Sequence, residues 1–439
     1  MRFGMCTDIA TSTRDRVEYA LLEKIKATGF DSWVHMLLCI LLLVGCASGV
    51  TETTAPTEPE YIGNSPIPNI RTGIKAQGMS TLGNGMEVTE SGVYFMSRAG
   101  GGWYYLLYAD HGSDTVVKLC ARPDCTHSDR FCNAYFENGS NVYYDGSHLY
   151  VGEAAGTYMK VYRLDLDGGN RTEVMDTSAV REGFNKGGSM LSISNGCCFF
   201  SLGKMVDGKI EETCFYYRLD GSMDQPEQLP EGLTYCFDDG HKAIVSGDRR
   251  SDGRADGARH LWDPETNTAE WIVDQPGYFY GYVSVNGIYY MDGGQLCFRP
   301  AGTVENEVLF DTGLDGEYEL EAYPDFFVVR DTVLWWKEGR EDASLDGQTL
   351  RFYNWDYEFL GECEIDYEVQ GSYIYDAIIA GESKDRIYLA AYNIGLPHYY
   401  IDKSDFGGEI KIHPLELPED IVEYYREQYE ESHLEPWEE

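Results

Sequence analysis

The sequence predicts an all-β chain folded as a β-propeller, and three observations predict it. A strand–turn–strand unit rich in aromatics recurs along the chain. Its copies are spaced at the period of a four-stranded propeller blade. Tyr and Gly are abundant, at 34 and 48 residues, which supplies half-buried strands and the turns between them.

The clearest copies are residues 141–151, Asn-Val-Tyr-Tyr-Asp-Gly-Ser-His-Leu-Tyr-Val, and 282–291, Tyr-Val-Ser-Val-Asn-Gly-Ile-Tyr-Tyr-Met. Asp145-Gly146 and Asn286-Gly287 are hairpin signals, because both central residues of a type I′ turn need a positive φ. Related strand pairs are expected at 87–95, 191–200, 236–245, 327–336 and 377–389. Second strands then begin near Val93, His148, Cys197, Lys242, Ile288, Val333 and Ile387, at spacings of 55, 49, 45, 46, 45 and 54. The second half of each unit reads as a strand, a turn and a last strand, as at Arg163-Leu164-Asp165-Leu166-Asp167-Gly168-Gly169 and Arg218-Leu219-Asp220-Gly221. Seven four-stranded blades are expected over 80–416. Six or eight would also satisfy the repeats, since ring closure can recruit strands from both ends. Residues 417–439 form an acidic tail in which Ile421, Val422, Tyr425 and Tyr429 lie at helical spacing, predicting a short helix.

The N-terminus carries a different signal. Residues 36–45, Met-Leu-Leu-Cys-Ile-Leu-Leu-Leu-Val-Gly, are an apolar run ending directly at Cys46. The run is short of the roughly 20 residues a bilayer span needs and has the length of a signal-peptide apolar region. Leu43-Val44-Gly45-Cys46 resembles the lipobox of bacterial lipoproteins. That resemblance implies a signal segment at 1–45, a diacylglycerol on the Cys46 thiol, cleavage before it, and an extracytoplasmic protein anchored to the cell membrane. Residues 46–79 begin Cys-Ala-Ser-Gly-Val-Thr-Glu-Thr-Thr-Ala-Pro and lack apolar periodicity, which predicts a flexible tether.

The net charge is −40, with 74 acidic against 34 basic residues. Residues 1–45 hold five of each, so the remainder keeps the whole imbalance. Such a charge argues against nucleic acid as a partner.

The most distinctive segment is 120–136, Cys-Ala-Arg-Pro-Asp-Cys-Thr-His-Ser-Asp-Arg-Phe-Cys-Asn-Ala-Tyr-Phe. Cys120, Cys125, His127 and Cys132 form a C-x4-C-x-H-x4-C pattern. Three thiolates and an imidazole can complete a tetrahedral zinc shell, and a closed Cys₃His site is structural. A disulfide among the three cysteines, or free thiols, are the other readings. Export permits disulfides, but nine cysteines follow Cys46, an odd number that argues against a complete disulfide framework. Lipobox, first repeat and this loop together resemble a group of uncharacterised lipoproteins from gut anaerobes with a propeller-like domain of unknown function. The resemblance implies a propeller and no known activity. The loop should be an insertion between the first two repeats, after a last strand at 115–119.

Other candidates are weaker. Asp165-Leu166-Asp167-Gly168-Gly169-Asn170 begins like a calcium loop but lacks the distal glutamate, and a turn is expected. Trp335-Trp336 are expected to pack in the core, because successive strand residues point to opposite faces. The Gly-x-Ser-x-Gly, His-Glu-x-x-His and phosphate-loop motifs are absent from the sequence. The expected function is a non-enzymatic module that binds a protein, peptide or glycan. The alternative is a propeller glycosidase or lyase using channel carboxylates.

Overall fold

The computed structural model describes residues 86–434, apart from 101–102, 128–130, 156–157, 185–190, 239–242, 248–257, 275–280, 285, 317, 324, 332–347, 366–367, 370–371, 374–376 and 392–395. The signal segment 1–45, Cys46, the tether 46–79 and Trp335-Trp336 lie outside the described residues.

The described chain is all-β, with one α-helix among its described residues, α1 (Glu419–Leu434). Consecutive strands pair antiparallel into four-stranded sheets. The first sheet comprises β1 (Met86–Val88), β2 (Gly92–Gly100), β3 (Trp103–Asp110) and β4 (Val116–Lys118), with β5 (Tyr135–Glu137) also on β3. Further four-stranded sheets occupy 139–176, 191–228, 233–274, 281–311, 318–365 and 377–414.

Side-chain alternation explains how these sheets stack. Successive strand residues face opposite ways, so each strand with apolar residues on both faces serves two neighbouring cores. Cys198 and Phe200 pack toward the second sheet, with Val161 and Ile193. Cys197 and Phe199 pack toward the fourth, with Val245 and Trp262. Every apolar cluster joins consecutive sheets in this way, and one cluster joins the last to the first. There Val93 and Phe95 meet Tyr388, Ala390 and Tyr400, together with Leu415, Ile421 and Tyr425 from the C-terminal segment. Polar contacts reinforce that junction. Arg386 pairs with Asp114 at 2.9 Å and lies 3.9 Å from the Tyr400 ring centroid. The amide of Val116 donates to the Glu416 carbonyl at 2.9 Å.

Three sequence expectations are corrected. The Asp145-Gly146 turn is not a two-residue type I′ hairpin: Tyr144 pairs with Leu149, leaving four loop residues. Of the central pair only Gly146 has a positive φ, at 98°, because Asp145 Oδ1 accepts from the amides of Ser147 and His148, each at 2.7 Å. At Asn286-Gly287 the register is one residue earlier, with Gly287 paired to Ser284 inside the second strand. A Cβ there would lie 2.1 Å from the Arg299 carbonyl oxygen. In the sixth unit the hairpin is Tyr318–Ala322 with Phe326–Asp331. The expected pair at 327–336 had therefore taken the second strand for the first. True type I′ geometry occurs at Asn195-Gly196, with φ of 49° and 70°, and at Asp207-Gly208, with 49° and 80°.

Candidate metal centre

The cysteine segment is spliced into the outer strand of the first sheet. β4 pairs Lys118 with Leu107, and β5 resumes two residues along by pairing Tyr135 with Tyr105. Leu106 sits between and holds both ends of the excursion. Its carbonyl accepts from Leu119 N–H at 2.9 Å, and its own N–H donates to the Ala134 carbonyl at 2.7 Å. The insertion therefore ends at Ala134, not Phe136, and lies within one strand rather than between two repeats. The cause is the apolar and aromatic run 134–136: Ala134 and Phe136 are fully buried, which draws residues 135–137 back onto the sheet.

Local chemistry shapes the loop. Arg122-Pro123-Asp124-Cys125 closes a turn through Cys125 N–H to the Arg122 carbonyl at 3.3 Å, with proline at the position its fixed φ favours. The Arg122 guanidinium crosses the loop to the Phe131 carbonyl at 2.8 Å. His127 takes the left-handed conformation at φ 54°. Cys132, with 1% exposure, belongs to the apolar core between the first and second sheets.

The four predicted residues converge. The ligand atoms of Cys120, Cys125, His127 and Cys132 all lie within 4.8 Å of one another. His127 Nδ1 is 3.3 Å from Cys132 Sγ. Tetrahedral zinc with Zn–S bonds of about 2.3 Å would set sulfur–sulfur separations near ~3.8 Å, so the cluster is close to the size of one cation's shell. Each of the three cysteines is a free thiol.

The electrostatics suit a cation. Burial raises the Cys120 pKa, but the backbone N–H groups of Arg122 and Asn133 and the thiols of Cys132 and Cys125 outweigh it and hold Cys120 below the ordinary thiol value. Burial pushes Cys132 up to about 12, against an opposing N–H from Ala134. A divalent ion bound here would supply the charge that lets all three ionise together. Burial and the Lys118 charge lower the His127 pKa, with Asp420 opposing, which favours the neutral imidazole that ligates metal. The donor set and its N–H support thus fit a single metal ion. Four protein ligands leave no position open for water or substrate.

The neighbouring sheet seals the site from one side. Asn133 Nδ2 donates to the Gly168 carbonyl at 2.9 Å. A Cβ on Gly168 would come within 2.4 Å of the Leu119 carbonyl oxygen, and one on Gly169 within 3.5 Å of Ala121 Cβ. The calcium-like segment is a closed turn, with Gly168 N–H donating to the Asp165 carbonyl at 2.9 Å and Asn170 Nδ2 to Asp165 Oδ2 at 2.6 Å. Below it the Arg171 guanidinium lies 3.9 and 4.2 Å from the Phe136 and Tyr162 ring centroids and donates to the Tyr135 carbonyl at 2.7 Å. Sequence reasoning missed Arg171 and the docking role of Gly168-Gly169. Their only signal was a second glycine beyond what the turn required.

No protein-family profile matches the chain, and no curated protein matches it. Among solved structures it is similar to an uncharacterised protein of Listeria monocytogenes EGD-e, at 12% identity over 82% of this chain and 98% of that one, TM-score 0.43. A putative 6-phosphogluconolactonase of Bacteroides uniformis ATCC 8492 gives 10% identity, 74% and 95% coverage and a TM-score of 0.42. The Pyrococcus horikoshii acylaminoacyl peptidase gives 10% identity and a TM-score of 0.45, over 83% of this chain and 56% of the peptidase. Those activities belong to those proteins. The propeller-like character of this chain rests on its own successive four-stranded sheets.

Proposed function

We propose that the chain is a seven-bladed β-propeller, tethered to the outer face of a bacterial membrane through lipid on Cys46, that binds a protein, peptide or glycan and carries one structural zinc at Cys120, Cys125, His127 and Cys132. The observation carrying this reading is the closed character of the metal cluster: four protein ligands, inserted in a strand at the edge of a sheet, build a staple rather than a reaction centre. The seven-blade count is supported by the core that joins the first and last sheets. Lipid anchoring rests on the Leu43-Val44-Gly45-Cys46 motif.

The glycosidase alternative needs one protonated and one ionised carboxyl flanking the scissile bond, about 5–9.5 Å apart. The adjacent buried pair in the sixth sheet, Glu319 and Glu321, shares Arg330, whose Nε lies 3.3 Å from Glu321 and whose Nη2 bonds Glu319. A guanidinium between two carboxylates favours the charged form of both, which suits a structural role. Probing glycan and peptide arrays with the detergent-solubilised full chain tests the binding reading. Reproducible capture of one chemical class is expected, and turnover of an arrayed glycan would overturn it.

A further inference from the structure

We propose that metal binding at the cysteine loop is coupled to docking of the C-terminal segment 415–434, so that the metal ion locks the junction of the first and last sheets. The proposal rests on the reading that the loop takes a metal ion. The physical link is β4, three residues long. One end of β4 leads through Leu119 directly into the ligand Cys120. Along one edge β4 pairs with β3, and around its other end it meets the C-terminal segment. Thr115 pairs in a parallel bridge with Glu416, and the Glu416 N–H donates to the Asp114 carbonyl at 2.8 Å. Lys118 Nζ reaches Asp420 Oδ2 at 2.5 Å, in the first turn of α1.

A second connection runs through Tyr105. Its hydroxyl donates to the His127 carbonyl at 2.8 Å, and its ring centroid lies 3.9 Å from the Lys118 ammonium. The same ring packs in the cluster that contains Ile421 and Tyr425. Tyr425 in turn accepts the Arg98 N–H at 3.2 Å. One short strand and one aromatic ring thus touch both the ligand loop and the helix that covers the sheet junction. A strand this short at a sheet edge has few ladder bonds of its own and opens locally at low free energy, so contacts at its ends add to what β3 supplies. The metal holds the end that leads into Cys120, and the C-terminal segment holds the other end through Glu416 and this end through Lys118, so each favours the order that the other needs. By reciprocity, docking of α1 must strengthen metal binding by the same factor.

Hydrogen exchange of the full chain, zinc-loaded and then stripped by chelator under reducing conditions, tests this with zinc content measured in parallel. With one zinc per chain bound, exchange across 415–434 should rise about tenfold on stripping, a common size for coupling between sites, while the fourth sheet, 233–274, stays unchanged. Lys118→Met keeps the aliphatic stem and removes the link to Asp420. It should bind one zinc with lower affinity and show fast exchange at 415–434 even when loaded. Zinc bound but equal exchange in the two states would overturn the coupling and leave the metal reading intact. An equal rise in the fourth sheet would overturn it as global loosening. Failure to bind zinc would overturn the metal reading and the coupling with it.

Discussion

The hydroxyl of Tyr105 donates to the carbonyl oxygen of His127 at 2.8 Å, so a residue of the first sheet's core holds the backbone of a candidate metal ligand. His127 sits there at φ 54°, a left-handed conformation that histidine, like asparagine and aspartate, takes more often than other residues with side chains. The contact turns a polar loop into an extension of the sheet. Burial, with Asp420, Tyr135 and Cys132 adding to it, pushes the Tyr105 phenol up to about 12, so the hydroxyl remains a donor throughout the working range of pH.

Zinc content follows from the ligand set. The wild-type chain, purified without oxygen, should contain one zinc by elemental analysis, and Cys125→Ser or His127→Ala should lose it. A cross-link closing a loop of this size is worth about 3 kcal/mol, so the variants should unfold at correspondingly lower urea. A disulfide between any two of the three cysteines, with no metal after reducing purification, would contradict the site.

Gly168→Ala should weaken both fold and metal site. The residue has φ 78°, and the added methyl would lie 2.4 Å from the Leu119 carbonyl oxygen. Strain and contact together should cost about 1–3 kcal/mol, and the displaced Leu119 adjoins Cys120. The expected outcome is a lower thermal midpoint and weaker zinc retention in a chelator competition. Gly196→Ala, at φ 70° with nothing within 4 Å, should lower stability without changing zinc retention.

Arg171→Met should destabilise by about 3 kcal/mol in chemical denaturation, because it removes the guanidinium beside a largely buried carboxylate that keeps the Glu137 N–H at 3.0 Å. Arg171 lies 3.5 Å from Glu153, and the two side chains are 16% and 12% exposed. Arg171→Lys restores the charge beside Glu153 and should recover only part of the loss, since an ammonium cannot span two rings and a carbonyl as the planar guanidinium does. Full recovery by lysine would refute the stacking role.

Asp145 predicts a pH dependence. Burial alone would raise its pKa, but the N–H groups of His148 and Ser147 and the hydroxyls of Ser147 and Tyr150 hold it below the ordinary aspartate value. A carboxylate depressed in the folded state adds stability that is present above its unfolded pKa and lost as pH falls through the folded one. Asp145→Ala should therefore cost about 2 kcal/mol near neutrality, the scale of hydrogen bonds to a charge. The difference from wild type should shrink as pH drops below the ordinary aspartate value. A difference independent of pH from 7 to ~3 would show that the charge plays no part.

Anchoring is checked by fractionation. The wild-type chain should partition with membranes and be released by proteolysis within 47–59, and Cys46→Ser should appear in the medium or as an uncleaved precursor. Normal processing and unchanged partition of the serine variant would contradict lipidation at Cys46.

Much of this architecture was legible in the amino-acid order. The alternation of aromatics and the turn dipeptides mark the starts of the strands at Gly92, Cys197 and Gly287 within a residue, because period-two burial is a local property. Turn type was less legible. Asn195-Gly196 and Asp207-Gly208 are type I′, whereas Asp145-Gly146 is not, since the Asp145 carboxylate captures two amides ahead of it. The dipeptides look alike, and what a carboxylate bonds depends on how the strands on either side register.

The sequence by itself determined the candidate ligand set: three thiols and an imidazole within one short, proline-turned loop can reach a common point whatever surrounds them. Only the tertiary structure decided where that point lies and what depends on it. Leu106 holds both ends of the loop through its own amide and carbonyl, Gly168 closes over Leu119 from the next sheet, and Lys118 and Tyr105 connect the loop to a helix some 300 residues later in the chain. These are pairings between distant segments, and nothing in the local order of residues encodes a partner that ring-like stacking of the sheets alone brings into reach.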